Sequence, residues 1–381
     1  MTKKKRERKG KPFWVRGTYF DYPSLFLILF LLLFGLMMVY SISSYKASVS
    51  YDDSAYFLKR QLLFGAVGFI IMIGVSKIRY QLLMKWSKVI MIITIILLIA
   101  VFIMGAASHG AQRWINLGFI SFQPSEIAKV SLIIYMAYIC STKTSCLKTK
   151  SGLLPTFAVA GIVCALIVKE NLSTTGVCAV IAVAVWFVVT PKKRYLVIII
   201  AVLALFAYLG VKGASYRGDR ITAWLDPEHS ENGYQTMQAL YAIGSGGLFG
   251  RGLGQSVQKL GYVPEAHNDM IFSVICEELG IVGGIALIIV FGMLLWRFKF
   301  IAEAAPDRFG ALLVTGVIAH IGFQVALNIA VVTNLFPNTG VTLPFISYGG
   351  SSLSFLLVEM GIVLSVSRQI VPIREEKEVT V

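Results

Sequence analysis

Three ionisable side chains, Glu265, His267 and Asp269, fall within five residues of the stretch "YVPEAHNDMIFSVICEELG", immediately before a long apolar run. A carboxylate at the base of a hydrophobic cleft, with water on one side, is what a general base requires. The same residues also suit a helix start. Asn and Asp cap well, and acids favour the positive end of a helix. A cap needs only one such residue, so capping and proton transfer both stay open here. Glu277 and Glu278, two turns further on, are expected to pair or hydrogen-bond inside a helical bundle.

A second group lies in "GAQRWINLGFISFQPSEIAK". Pro124 fits the first turn of a helix, which puts Glu126 and Lys129 at i and i+3 on one face. Opposite charges inside a span are costly toward lipid, so they should face the interior, as a structural ion pair or as substrate contacts. Arg113 sits in the loop before them. A third candidate, "AIGSGGLFGRGLGQS", places Arg251 among six glycines. Such a loop can turn backbone N–H groups toward phosphate. It has neither the Walker ending nor a GxGxxG register, and a flexible loop is the plainer reading. "KEN" at 169–171 is a hairpin cap. His109, His229 and His320 have no partners at metal-ligand spacing, and His320, within a span, reads as a packing or hydrogen-bonded histidine with no assigned role.

These groups need elements to hold them. The 381 residues are 56% hydrophobic and only 14% charged, with apolar runs long enough to cross a hydrocarbon core. That composition excludes an ordinary soluble domain and predicts an all-α polytopic membrane protein. Ten spans are expected: 24–44, 58–75, 89–105, 124–140, 153–168, 174–190, 195–211, 270–296, 309–332 and 344–366. Loops on the side of the termini hold 24 of the 35 Lys and Arg residues, which predicts both termini in the cytoplasm. The chain thus divides into a basic tail (1–23), a ten-helix membrane domain (24–367) and a second cytoplasmic tail (368–381). The basic tail directly precedes a span, so it suits anionic lipid headgroups rather than nucleic acid. The five cysteines suggest no disulfide framework.

Three outer segments are irregular. They are 106–122, the long loop 213–268, and "TNLFPNTGVTLPFISYGGSS" before the last span. Within the long loop, Tyr234, Met237, Leu240 and Tyr241 recur at helical spacing and predict a helix lying on the membrane surface. Irregular backbone at membrane depth is tolerated only where it lines a cavity or is buried in protein. The outer face is where a site should be.

The motifs "GAQRWINLG…QPSEIAK", "YAIGSGGLFGRGLGQS", "PEAHNDMIF…EELG" and "NTGVTLPFISYGGSS", in that order, resemble the SEDS family (shape, elongation, division and sporulation; FtsW, RodA and SpoVE). The similarity runs from about Tyr22 to Arg368, and the last two motifs look more like the FtsW and SpoVE branch than RodA. The turn "KENLSTTG" departs from the proline-aspartate of many relatives.

The resemblance implies ten helices and a peptidoglycan glycosyltransferase. Such an enzyme polymerises lipid II into β-1,4-linked strands on the outer face of the bacterial cytoplasmic membrane, for septal or spore wall synthesis. It assigns Asp269 as the catalytic base. It also implies substrate contacts from Arg113, Glu126 and Lys129, to which Arg251, Glu265 and His267 are added as weaker candidates. The expected partners are lipid II, a class B penicillin-binding protein transpeptidase and membrane lipids. A magnesium or manganese ion held largely by pyrophosphate and water is compatible with the sequence, which shows no all-protein cage. Two rival readings are a lipid II flippase, whose charges should line a path to the cytoplasm, and a scaffold that only recruits the transpeptidase.

Overall fold

The computed structural model describes residues 19–104, 106–108, 111–116, 121–142, 150–168, 171–190, 215–230 and 233–371. Eleven helices make up most of it, 77% being helical. They are α1 (Tyr22–Tyr51), α2 (Tyr56–Lys77), α3 (Gln81–Met104), α4 (Pro124–Thr142), α5 (Lys150–Val168), α6 (Leu172–Val189), α7 (Ser215–Leu225), α8 (Tyr234–Gly246), α9 (Ile271–Glu303), α10 (Arg308–Val332) and α11 (Gly350–Ser367). A small antiparallel sheet, β1 (Ala106–Ser108), β2 (Ala111–Asn116) and β3 (Ser121–Phe122), bridges α3 and α4.

Nine of the ten expected spans coincide with these helices; the seventh, 195–211, lies outside the described residues. Seven helices are long and apolar enough to cross a membrane by length and composition alone. α3 turns Ile92, Ile93, Ile96 and Ile99 outward, whereas α10 and α11 are largely enclosed. The helix starts follow local chemistry. Asp21 accepts from the Ser24 N–H, Asn171 from Ser173 and Thr174, and Asp307 from Gly310. "KEN" is thus a cap at Asn171. The two ends of the described chain meet: the Arg368 guanidinium lies 4.3 Å from the centre of the Phe20 ring. We call this the terminal end and the opposite one the loop end.

Three expectations change. The last span begins at Gly350, not at residue 344. Phe345 has a left-handed φ of 64°, which no helix continues, and residues 341–347 run buried and non-helical toward α11. Second, α8 forms as expected, but Thr236, Ala239, Ala242 and Gly246 make its buried face while Tyr234 and Tyr241 stay exposed.

Third, the glycine-rich loop is not slack. α9 breaks at Gly280, where φ is 74°, and the break frees backbone groups inside the helix. The loop fills it. Arg251 N–H donates to Glu277 O and Gly252 N–H to Glu278 O, while Gly247 and Leu248 carbonyls accept from Ile281 and Val282. A Cβ on Gly250 would lie 2.2 Å from Glu278 O, and one on Gly280 would lie 2.2 Å from Leu248 O. Glycine is needed there because two backbones touch.

Candidate active site

The break and the two acids just before it clasp the long loop to the bundle. Glu277 is fully buried. It accepts from the Ser256 hydroxyl and, at 3.0 Å, from the Val257 N–H. Glu278, equally buried, meets Ser41 of α1 at 2.8 Å and Lys259 at 2.9 Å. These acids therefore tie the long loop to α1 and α9, and the expectation that they pair inside the bundle holds. Arg251 also belongs to this clasp: Nε donates to Ser245 O, and Nη1 lies 3.8 Å from Glu277. Arg251 borders an open cavity of about 410 Å³ that is also lined by Tyr241, Gln258 and Glu277. Asp269 is not part of that cavity.

Glu265, His267 and Asp269 have three different surroundings. Glu265 takes a left-handed turn at φ 52°, accepts from the Asn268 side chain and reaches Lys46 at 3.4 Å. The buried His267 ring lies 4.7 Å from Phe57 and 5.8 Å from Tyr348, and its carbonyl accepts from the Tyr348 N–H. Burial, helped by the Lys46 charge, pushes its pKa down to about 4, so the imidazole is neutral at neutral pH. Asp269 precedes Met270, the N-cap of α9. Its Oδ1 is shielded from solvent and has no hydrogen-bond partner. Burial raises its pKa to about 6 and the Glu265 charge adds to this, against the pull of Arg220 and of the Asp269 and Met270 N–H groups.

Asp269 faces the irregular segment that follows α10. Asn328 of α10 donates from one amide nitrogen to Asp269 O and to Val341 O, both at 2.7 Å. A Cβ on Gly340 would sit 3.7 Å from Asp269 Oδ2, so the segment passes directly beside the carboxylate. Gly35 of α1 permits the approach from behind, where a Cβ would come within 2.3 Å of Phe345 O.

Glu126 and Lys129 form an ion pair of 2.9 Å on the interior face of α4. They line a narrow second cavity with His320, Gln324 and Thr342, adjacent to the same segment. Arg113 lies on β2, the central strand, and its side chain is outside the described part of the structure. Of the sequence-predicted residues, His267 and Asp269 border residues 333–349 and Glu126 and Lys129 line the cavity beside Thr342, while Glu265 reaches Lys46 and Arg251 lies in the separate clasp.

Two features escaped the sequence reading. Arg220 of α7 donates to Asn338 O at 3.3 Å and its charge acts on Asp269. Its signal is Arg217 and Arg220 at i and i+3 in "SYRGDRITAWL". His320 is hydrogen-bonded, to Gln324 one turn on at 2.9 Å and to Glu359 of α11 at 2.8 Å, the latter a partner no local spacing reveals.

A family profile described as a cell cycle protein, grouping FtsW, RodA and SpoVE, matches residues 23–371. Stage V sporulation protein E of Bacillus subtilis is 41% identical over 355 residues, spanning 91% of this chain and 97% of that protein. A probable peptidoglycan glycosyltransferase FtsW of Trichlorobacter lovleyi is 40% identical over 363 residues, spanning 94% and 95%. Among solved structures, a chain from a peptidoglycan synthase complex aligns with a TM-score of 0.77 at 27% identity, over 92% of this chain and 98% of that one. RodA of Thermus thermophilus gives 0.68 at 27% identity, over 93% and 98%. The chain belongs to the FtsW, RodA and SpoVE family of polytopic membrane proteins, a family with members named as peptidoglycan glycosyltransferases.

Proposed function

We propose that the protein polymerises lipid II into β-1,4-linked glycan, with the loop end facing outward and Asp269 as general base. The observation that carries this reading is the Asp269 carboxylate. It is held at a helix mouth with Oδ1 free of any hydrogen-bond partner and with a pKa pushed up to about 6. A base near neutral pKa is both ionised at working pH and able to take a proton. Asp269 would accept the proton of the acceptor sugar's 4-hydroxyl. That oxygen attacks the anomeric carbon of the donor sugar, and the undecaprenyl pyrophosphate leaves with inversion from α to β. Negative charge developing on the pyrophosphate calls for cations. Lys129 and Arg113 are assigned to it, with Arg220 added by its place beside Asn338.

Among the described residues, no three His, Cys, Asp or Glu side chains come together to hold a metal. A magnesium or manganese ion would then be held chiefly by pyrophosphate and water. The unpartnered Asp269 Oδ1 fits one ligand position. When bound, such an ion would neutralise charge on the leaving group.

One observation favours the rival transporter: the buried His320–Glu359 pair places ionisable groups at the midpoint of α10. Purified protein incubated with lipid II, with and without a class B penicillin-binding protein, separates the readings. Polymer supports the proposal. Lipid II movement across vesicles without polymer under either condition would favour the transporter. The orientation is tested by reporters: cytoplasmic after Lys150 and at Val381, external near Ser230.

A further inference from the structure

His320, Gln324 and Asn328 lie at i, i+4 and i+8 on α10, one stripe of a helix. Asn328 holds Asp269 O and Val341 O, as described above. Gln324 holds the next residue, its Nε2 donating to Thr342 O at 2.9 Å. That bond fixes which way the amide points. Gln324 Oε1 must face the other way, where Lys129 Nζ lies at 3.3 Å and His320 Nε2 at 2.9 Å. An amide oxygen only accepts, so His320 Nε2 carries a hydrogen. The other ring nitrogen, Nδ1, meets Glu359 Oε2 at 2.8 Å, and one proton must lie between them.

All of these groups are buried except Thr342, whose carbonyl is nonetheless engaged. An imidazole and a carboxylate in the middle of a span are expensive to keep there. The connection they make is specific. His320 donates to the atom of Gln324 that also receives Lys129, and Gln324 in turn anchors the segment passing beside Asp269.

We propose that His320 is a positioning residue for the Asp269 site. Its Nε2–H locks the Gln324 amide, and the locked amide holds residues 340–342 against the carboxylate, while Glu359 holds the ring. The inference rests on the glycan-polymerase reading for its kinetic arm only.

Two variants test it. His320→Gln places an amide N–H where Nε2–H stood, so it should polymerise within about threefold of wild type. The double variant His320→Leu with Glu359→Leu removes the donor and the buried acid together. Replacing a buried pair by apolar groups is commonly neutral or stabilising, so this variant should fold. Its kcat should nevertheless fall at least about tenfold while KM moves little, because displacement at a remote support costs rate at the reacting centre. Hydrogen–deuterium exchange of the peptide spanning Gly340–Leu343, which needs no activity, should rise in the double variant and stay at the wild-type level in His320→Gln. Unchanged exchange in the double variant would overturn the proposal, as would wild-type kcat from it. No polymer from wild type, with the exchange difference present, would sink the polymerase reading and leave the positioning one standing.

Discussion

Asp21 and Asp269 both stand at the start of a helix, at opposite ends of one bundle. Asp21 caps α1 at the terminal end and Asp269 precedes the cap of α9 at the loop end. Asp21 is fully buried yet fully answered. It accepts from the Ser24 N–H and the Tyr19 hydroxyl, and it pairs with Arg297 near the far end of α9. Burial works to raise its pKa, but these partners hold it below the usual aspartate range. Asp269 is half-buried with Oδ1 shielded and unpartnered, and the pull of Arg220 and two backbone N–H groups is too small to stop its pKa rising to about 6. The same residue type, in the same kind of position, is spent on stability at one end and kept available at the other. A shielded carboxylate oxygen without a partner is costly to keep, and this contrast is what supports the proposed role of Asp269.

Breaking the answered acid should produce the largest loss of stability. Arg297→Met leaves Asp21 buried and unpaired, and about 3–5 kcal/mol of unfolding free energy should disappear. Thermal unfolding in matched detergent measures it. Next is the break in α9. Gly280→Ala forces a left-handed φ on a side chain and drives its Cβ into Leu248 O, for a cost of about 2 kcal/mol or more. Susceptibility of the 246–252 loop to proteolysis should rise with it.

The sharpest contrast is in pH. Asp269 binds its proton more tightly folded than unfolded. It therefore favours folding below about pH 4, and that contribution is lost as pH rises through about 6. Asp21 behaves oppositely: its contribution is present above the ordinary aspartate pKa and lost as pH falls through its lowered value. The Tm of Asp269→Asn relative to wild type should thus improve from about pH 4 to 7, while that of Asp21→Asn should worsen as pH rises toward about 4 and stay level above it. Parallel trends would erase the distinction. Activity should show the same group, with kcat/KM falling on acidification with a midpoint near pH 6 rather than near 4.

Much of this was legible in the sequence because lipid imposes strong local rules. Apolar run length located nine described helices, and Pro124 with Glu126 and Lys129 announced an inward ion pair. What stayed hidden depends on contacts between distant backbones. The glycines at 246–254 looked like a flexible loop, since nothing local shows that they enter a gap opened by Gly280. Pro344 looked like a helix start, but Phe345 turns left-handed where its carbonyl packs against Gly35 of α1. His320 showed no partner because Glu359 lies 39 residues away. The spacing of Glu265, His267 and Asp269 marked a candidate site but not their different surroundings, which come from which of them has partners.

Glycan made from lipid II by purified Asp269→Asn protein, at a folded fraction matched to wild type, tests the central claim most directly. Asn keeps the shape of Asp but takes no proton. At least about a hundredfold less polymer is expected, with Tm at neutral pH no lower than wild type. Polymer at the wild-type rate would contradict this and leave Asp269 as a structural residue ahead of the Met270 cap.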